Sequence, residues 1–117
     1  MKNRIYVFIL TLTTVLFSSN ALSNGYKGKL DLITAEQLLK HPDIYLVLDT
    51  RSKEEFESGH IKGAINIPHD QVVDHTDRFK HINKTIVVHC RSGRRALVAE
   101  QALLDKGFKN LKHLEGD

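Results

Sequence analysis

The sequence predicts an α/β fold, a doubly wound, five-stranded parallel sheet with helices on both faces, and two observations carry that prediction. Five short runs rich in Ile, Val and Leu recur at residues 30–33, 45–48, 64–67, 85–89 and 111–114, the pattern of strands buried on both sides. Between them lie segments with helix start and stop signals, so strand and helix alternate, and alternation of this kind implies parallel strands joined by helical crossovers.

Each element has its own local reason. Leu30–Ile33 is followed by Thr34, which with Gln37 makes a capping box ahead of Leu38 and Leu39, and Pro42 ends that helix. Tyr45–Leu48 is the second strand. Ser52 with Glu55 makes a second box ahead of Phe56, and Gly59 closes it. Ala64–Ile67 is the third strand. Residues 70–80 place Val72, Val73 and Phe79 at spacings that fit one helical face, while Asp74, Asp77 and Arg78 keep the rest solvated. Thr85–His89 is the fourth strand. Residues 95–106 set Ala96, Ala99, Leu103 and Leu104 toward a core, with Gly107 as a left-handed stop. Leu111–Leu114 is the fifth strand.

The first 23 residues read differently. Lys2 and Arg4 precede an apolar stretch, Ile5 to Phe17, and a small, polar stretch, Ser18 to Ser23, the arrangement of a secretory signal peptide. The expectation is export. Cleavage follows Ser23 after Ala21-Leu22-Ser23 or follows Ala21 after Ser19-Asn20-Ala21, with Ser23 preferred. The apolar stretch falls short of the roughly 20 residues of a spanning helix, so no stable membrane span is expected once the signal is removed. Residues 24–29 read as a flexible leader, and residues 30–117 as one domain.

Loss of the leader takes Lys2 and Arg4 with it and lowers the net charge from +3 to +1. The remaining bases are interspersed with acids and lack interleaved aromatics, which argues against a nucleic-acid partner. Seven His and one Cys show no zinc-site spacing, and neither a metal nor an organic cofactor is expected.

A lone cysteine in an oxidising compartment calls for a reason. Packing as a small buried hydrophobe is one; chemistry is the other. Cys90 ends the strand Thr85–His89 and opens the loop Arg91-Ser92-Gly93-Arg94-Arg95, which runs into a helix. Backbone N–H groups at a helix start, with the positive end of its dipole, favour a thiolate. Gly93 supplies the backbone freedom for a loop whose N–H groups converge. Arg91, Arg94 and Arg95 add cations able to grip an oxyanion. His89 adjoins Cys90, but strand neighbours point to opposite faces, so a structural role is favoured for it. Asp49 is expected to bond the following turn or pair with Arg51.

The loop Cys90-Arg91-Ser92-Gly93-Arg94-Arg95 after Thr85-Ile86-Val87-Val88-His89 resembles the active-site loop of single-domain rhodaneses, the thiosulfate sulfurtransferases. A second block, Leu48-Asp49-Thr50-Arg51 with Glu54 through Pro68, resembles the upstream signature of the same family. The likeness covers residues 30–116 and, with the leader, looks like the periplasmic, phage-shock type. It implies a rhodanese-like sheet of five parallel strands. It also implies Cys90 as the nucleophile that takes the outer sulfur of thiosulfate or another sulfane donor, holds it as a persulfide and passes it to cyanide or a small thiol. Arg91, Ser92, Gly93, Arg94 and Arg95 are the substrate-binding positions so implied, with Arg95 the one expected to fold back structurally. The family commonly runs on past the last strand, so the ending at Glu115-Gly116-Asp117 leads one to expect thinner packing there.

Two rivals come from other classes. A cysteine-dependent phosphatase or arsenate reductase also places His-Cys before an oxyanion loop, but has Arg six positions after Cys, where this chain has Ala96. A non-catalytic module that carries sulfur or binds a partner is the other.

Overall fold

The computed structural model describes residues 26–116. Its strands are β1 (Asp31–Ile33), β2 (Tyr45–Asp49), β3 (Ile65–Asn66), β4 (Thr85–His89) and β5 (Leu111–Leu114). They form one sheet in the order β1-β5-β4-β2-β3, and every neighbouring pair is parallel. The helices are α1 (Ala35–Lys40), α2 (Lys53–Ser58) and α3 (Arg94–Asp105).

Strand alternation sorts the core into two layers. Leu48, Ile86, Val88 and Leu111 face one side, where they meet Ala96, Ala99 and Leu103 of α3 together with Ile67, Val72 and Phe79. Val47 and Val87, one residue out of phase, face the other side with Ile33, Leu38 of α1 and Leu114. β2 and β4 are therefore apolar without alternation because both of their faces are covered. Each fully buried Leu or Val contributes roughly 1.5–3 kcal/mol.

Both capping boxes form. Thr34 Oγ1 accepts from Gln37 N and Gln37 Oε1 from Thr34 N, each at 3.0 Å. Ser52 Oγ accepts from Glu55 N at 3.2 Å and Glu55 Oε1 from Ser52 N at 3.1 Å. The third strand is shorter than the sequence pattern suggests, two residues rather than four.

The helix expected over residues 70–80 is absent. Two 3₁₀ segments, His69–Asp74 and Thr76–Phe79, take its place. They are separated by His75 at φ −122° and ψ 16°, and neither has a side-chain cap at its start. Val, Asp, Thr and His are all indifferent helix formers, so the segment takes the conformation that docks Val72, Thr76 and Phe79. All three are buried while Val73 stays exposed.

Residue 26 lies within the expected leader, yet its side chain is anchored. Tyr26 stacks on His113 of β5, with ring centroids 3.9 Å apart, and its hydroxyl donates to Glu100 Oε1 at 2.5 Å. Glu100 Oε2 lies 2.5 Å from His113 Nδ1. Glu100 and His113 are both buried, so this cluster satisfies two polar groups inside the α3 layer. The hydroxyl of Tyr26 is pushed above its usual range, by burial first and then by the Glu100 carboxylate. The expected signal segment, residues 1–23, lies outside the described residues. Among the described residues no helix is long and apolar enough to cross a membrane.

Candidate active site

The C-terminal ends of β2 and β4 are paired through Asp49 and His89, and the loops that leave them meet beyond the sheet edge, where open α/β sheets bind ligands. The β2 side is braced first. Asp49 is buried, and its carboxylate accepts from Arg51 N and Nε at Oδ1, each 3.0 Å, and from Arg51 Nη2 at Oδ2, 2.8 Å. Arg51 Nη2 also donates to Gly59 O at 2.7 Å. Asn66 Nδ2 ties Asp49 O and Arg51 O together at 3.0 and 2.9 Å. Thr50 links the two strands, its N and Oγ1 donating to His89 O at 2.9 and 3.0 Å. Asp49 therefore serves the turn and Arg51.

Beyond β4 the chain bends around the sulfur. Gly93 caps α3 at φ +83° and ψ −19°, a left-handed conformation that glycine adopts at little cost. That conformation turns its N–H onto Cys90 Sγ at 2.9 Å. Ala96 N, in the first turn of α3, donates to the same sulfur at 3.3 Å. Cys90 is fully buried as a residue and packs in the α3 layer. Its sulfur nonetheless sits among amide donors that suit negative charge.

A cleft of about 280 Å³ lies beside this cysteine, lined by Arg51, Glu55, Ser58, His89, Cys90, Arg91 and Gly116. Arg95 does not line it. Its Nη1 and Nη2 donate to Glu55 Oε1 and Oε2 at 2.6 and 3.0 Å, a bidentate pair that joins α3 to α2. The Arg95 guanidinium, followed by Ser52, holds the Glu55 carboxyl well below the usual carboxylate range. Glu55 in turn is the main group keeping Arg95 charged, with Cys90 and Asp49 adding weaker attraction.

The structure thus separates the expected site residues. Cys90 and Arg91 line the cleft, and Gly93 and Ala96 address the sulfur from the backbone. Ser92 and Arg94 are exposed and lie outside the lining, and Arg95 folds back onto Glu55. His89 shares the lining with Cys90, because Cys90 lies one residue past the strand, where alternation no longer directs side chains. Sequence reasoning gave no site role to Arg51, Glu55, Ser58 or Gly116. The strand order supplies the missing signal, since β2 lies beside β4 and delivers the turn after Asp49 to the cysteine.

With this geometry in view, comparison with known proteins identifies the fold. The profile of the rhodanese-like domain matches residues 34–117. The chain belongs to the rhodanese-like domain family. Among solved structures it resembles a rhodanese-related protein from Thermoplasma volcanium at 30% identity and a TM-score of 0.62, covering 74% of this chain and 84% of that one. Among curated proteins it is 38% identical over 97 residues to the tRNA uridine(34) hydroxylase of Yersinia pestis, covering 79% of this chain and 26% of that protein. It is 32% identical over 106 residues to the adenylyltransferase and sulfurtransferase UBA4 of Meyerozyma guilliermondii, covering 79% of this chain and 25% of that protein. The chain therefore spans about a quarter of the length of these curated relatives. The rhodanese-like parallel sheet is what it shares with the family.

Proposed function

We propose that this protein is a sulfurtransferase that carries sulfane sulfur on Cys90, with thiosulfate as a competent donor. The observation that carries the reading is the pair of amide N–H groups, Gly93 and Ala96, on the sulfur of Cys90, a residue that lines a polar cleft. In the first step the Cys90 thiolate attacks the outer sulfur of thiosulfate. The donor S–S bond breaks, sulfite leaves with its electron pair, and Cys90 holds an anionic persulfide. In the second step cyanide or a small thiolate attacks that outer sulfur and leaves with it, which restores the Cys90 thiolate. The loop amides face an anionic sulfur before and after the first step. Arg91, exposed at the cleft, is placed to draw in the donor anion.

Phosphoryl transfer is disfavoured by one position. The residue six after Cys90 is Ala96, which is fully buried, so no guanidinium is available there to clamp a phosphoryl group. The test is turnover. Thiosulfate plus cyanide yields thiocyanate with the wild type and none with Cys90→Ala, while p-nitrophenyl phosphate stays intact. Hydrolysis of the phosphate ester without thiocyanate formation contradicts the reading. We also propose export to the periplasm through residues 1–23. N-terminal sequencing of periplasmic protein then begins at Asn24, and recovery of the intact chain from the cytoplasm alone contradicts it.

A further inference from the structure

We propose that Glu55 sets which donor charge the cleft accepts, by cancelling the charge of Arg95; this rests on the sulfur-transfer reading. Arg51 and Arg91 line the cleft with the cysteine, and Arg95 is close enough for attraction to it, but they do not count equally. Arg51 is matched by Asp49 at 2.8 Å and Arg95 by Glu55 at 2.6 Å, and Arg94 lies outside the lining. Arg91 is the lining cation of the described residues with no carboxylate partner within ion-pair distance. A dianionic donor approaching an anionic sulfur therefore meets little net positive charge.

The negative charge on Glu55 is not required by its helix. At the corresponding position of α1 the same capping box is closed by Gln37, a neutral side chain. α2 uses a glutamate instead, and its charge is directed at Arg95 from the cleft wall. Glu55→Gln keeps an oxygen for Ser52 N and leaves Arg95 uncompensated beside the sulfur. A charge acts on a dianion with twice the energy it exerts on a monoanion. Glu55 thus restrains the cleft's preference for dianions and keeps it open to donors of lower charge.

The test compares two donors that differ by one charge. Thiosulfate, a dianion, gives up its outer sulfur and leaves as sulfite; methanethiosulfonate, a monoanion, does the same and leaves as methanesulfinate. Both form the same anionic Cys90 persulfide. In Glu55→Gln the ratio of kcat/KM for thiosulfate to that for methanethiosulfonate rises about fivefold at low salt, and the rise shrinks in 0.5 M salt, where the screening length is about 4 Å. In the double variant Glu55→Gln with Arg95→Gln, which removes both charges, the ratio returns to the wild-type value even if both rates are lower. A ratio unchanged in Glu55→Gln, or one that stays away from wild type in the double variant, overturns the proposal and leaves Glu55 as a structural clamp. Failure of both donors to place sulfur on wild-type Cys90 overturns the sulfur-transfer reading itself, a result distinct from an unchanged ratio.

Discussion

At the scale of single residues, the site depends on where two amide hydrogens point. Gly93 adopts φ +83°, and in that conformation its N–H reaches Cys90 Sγ at 2.9 Å. An L side chain there costs roughly 1–2 kcal/mol. Gly93→Ala is expected to lower the urea midpoint accordingly and to slow thiocyanate formation more than tenfold, because the loop relaxes by turning that donor away. Unchanged turnover with the glycine replaced contradicts this role. The cysteine, the glycine and the helix start were legible in the sequence because they are neighbours along it. The Asp49–Arg51 pair was legible for the same reason. The Arg95–Glu55 pair was not, since its partners lie 40 residues apart and only the sheet order brings α2 against the start of α3.

At the scale of elements, the two capping boxes make a matched comparison. Both satisfy helix N-terminal donors, and replacing either cap residue with alanine costs about 1 kcal/mol. Thr34→Ala touches stability alone, because α1 packs on the face away from α3 through Leu38. Ser52→Ala also removes the hydroxyl that accepts from Glu55 N, which loosens the first turn of α2 from which the Glu55 carboxylate holds Arg95. The expected result is equal loss of stability by denaturant titration, with turnover reduced several-fold in Ser52→Ala and unchanged in Thr34→Ala. Equal turnover in the two variants contradicts a functional link through α2. The strands and caps were readable because their signals are local. Residues 69–79 were not, because Val72, Thr76 and Phe79 follow a helical spacing while the intervening residues carry no helix preference. Packing against α3 decided that segment, as it also docked Tyr26 against His113.

At the scale of the whole molecule, the charge pairs at the sheet edge couple the fold to pH. Glu55 is held below its ordinary value of 4.5 by Arg95 first and by Ser52 next. A carboxylate whose folded value is depressed stabilises the fold above the unfolded value and loses that contribution as pH falls toward the folded one. The urea midpoint of the wild type should therefore exceed that of Glu55→Gln at pH 7, and the difference should shrink as pH drops below about 4.5. A constant difference down to pH 2.5 contradicts the pairing. The parallel sheet itself exists to hold the ends of β2 and β4 side by side, so that a single cysteine meets converging amides. The chain has one cysteine, so sulfur loading has one thiol to act on, and intact-protein mass spectrometry after treatment with thiosulfate tests the central claim most directly. The expected result is a gain of about 32 Da, one sulfur atom per molecule, removed by cyanide and absent in Cys90→Ser. An unchanged mass after thiosulfate, or a gain that persists in Cys90→Ser, contradicts the account.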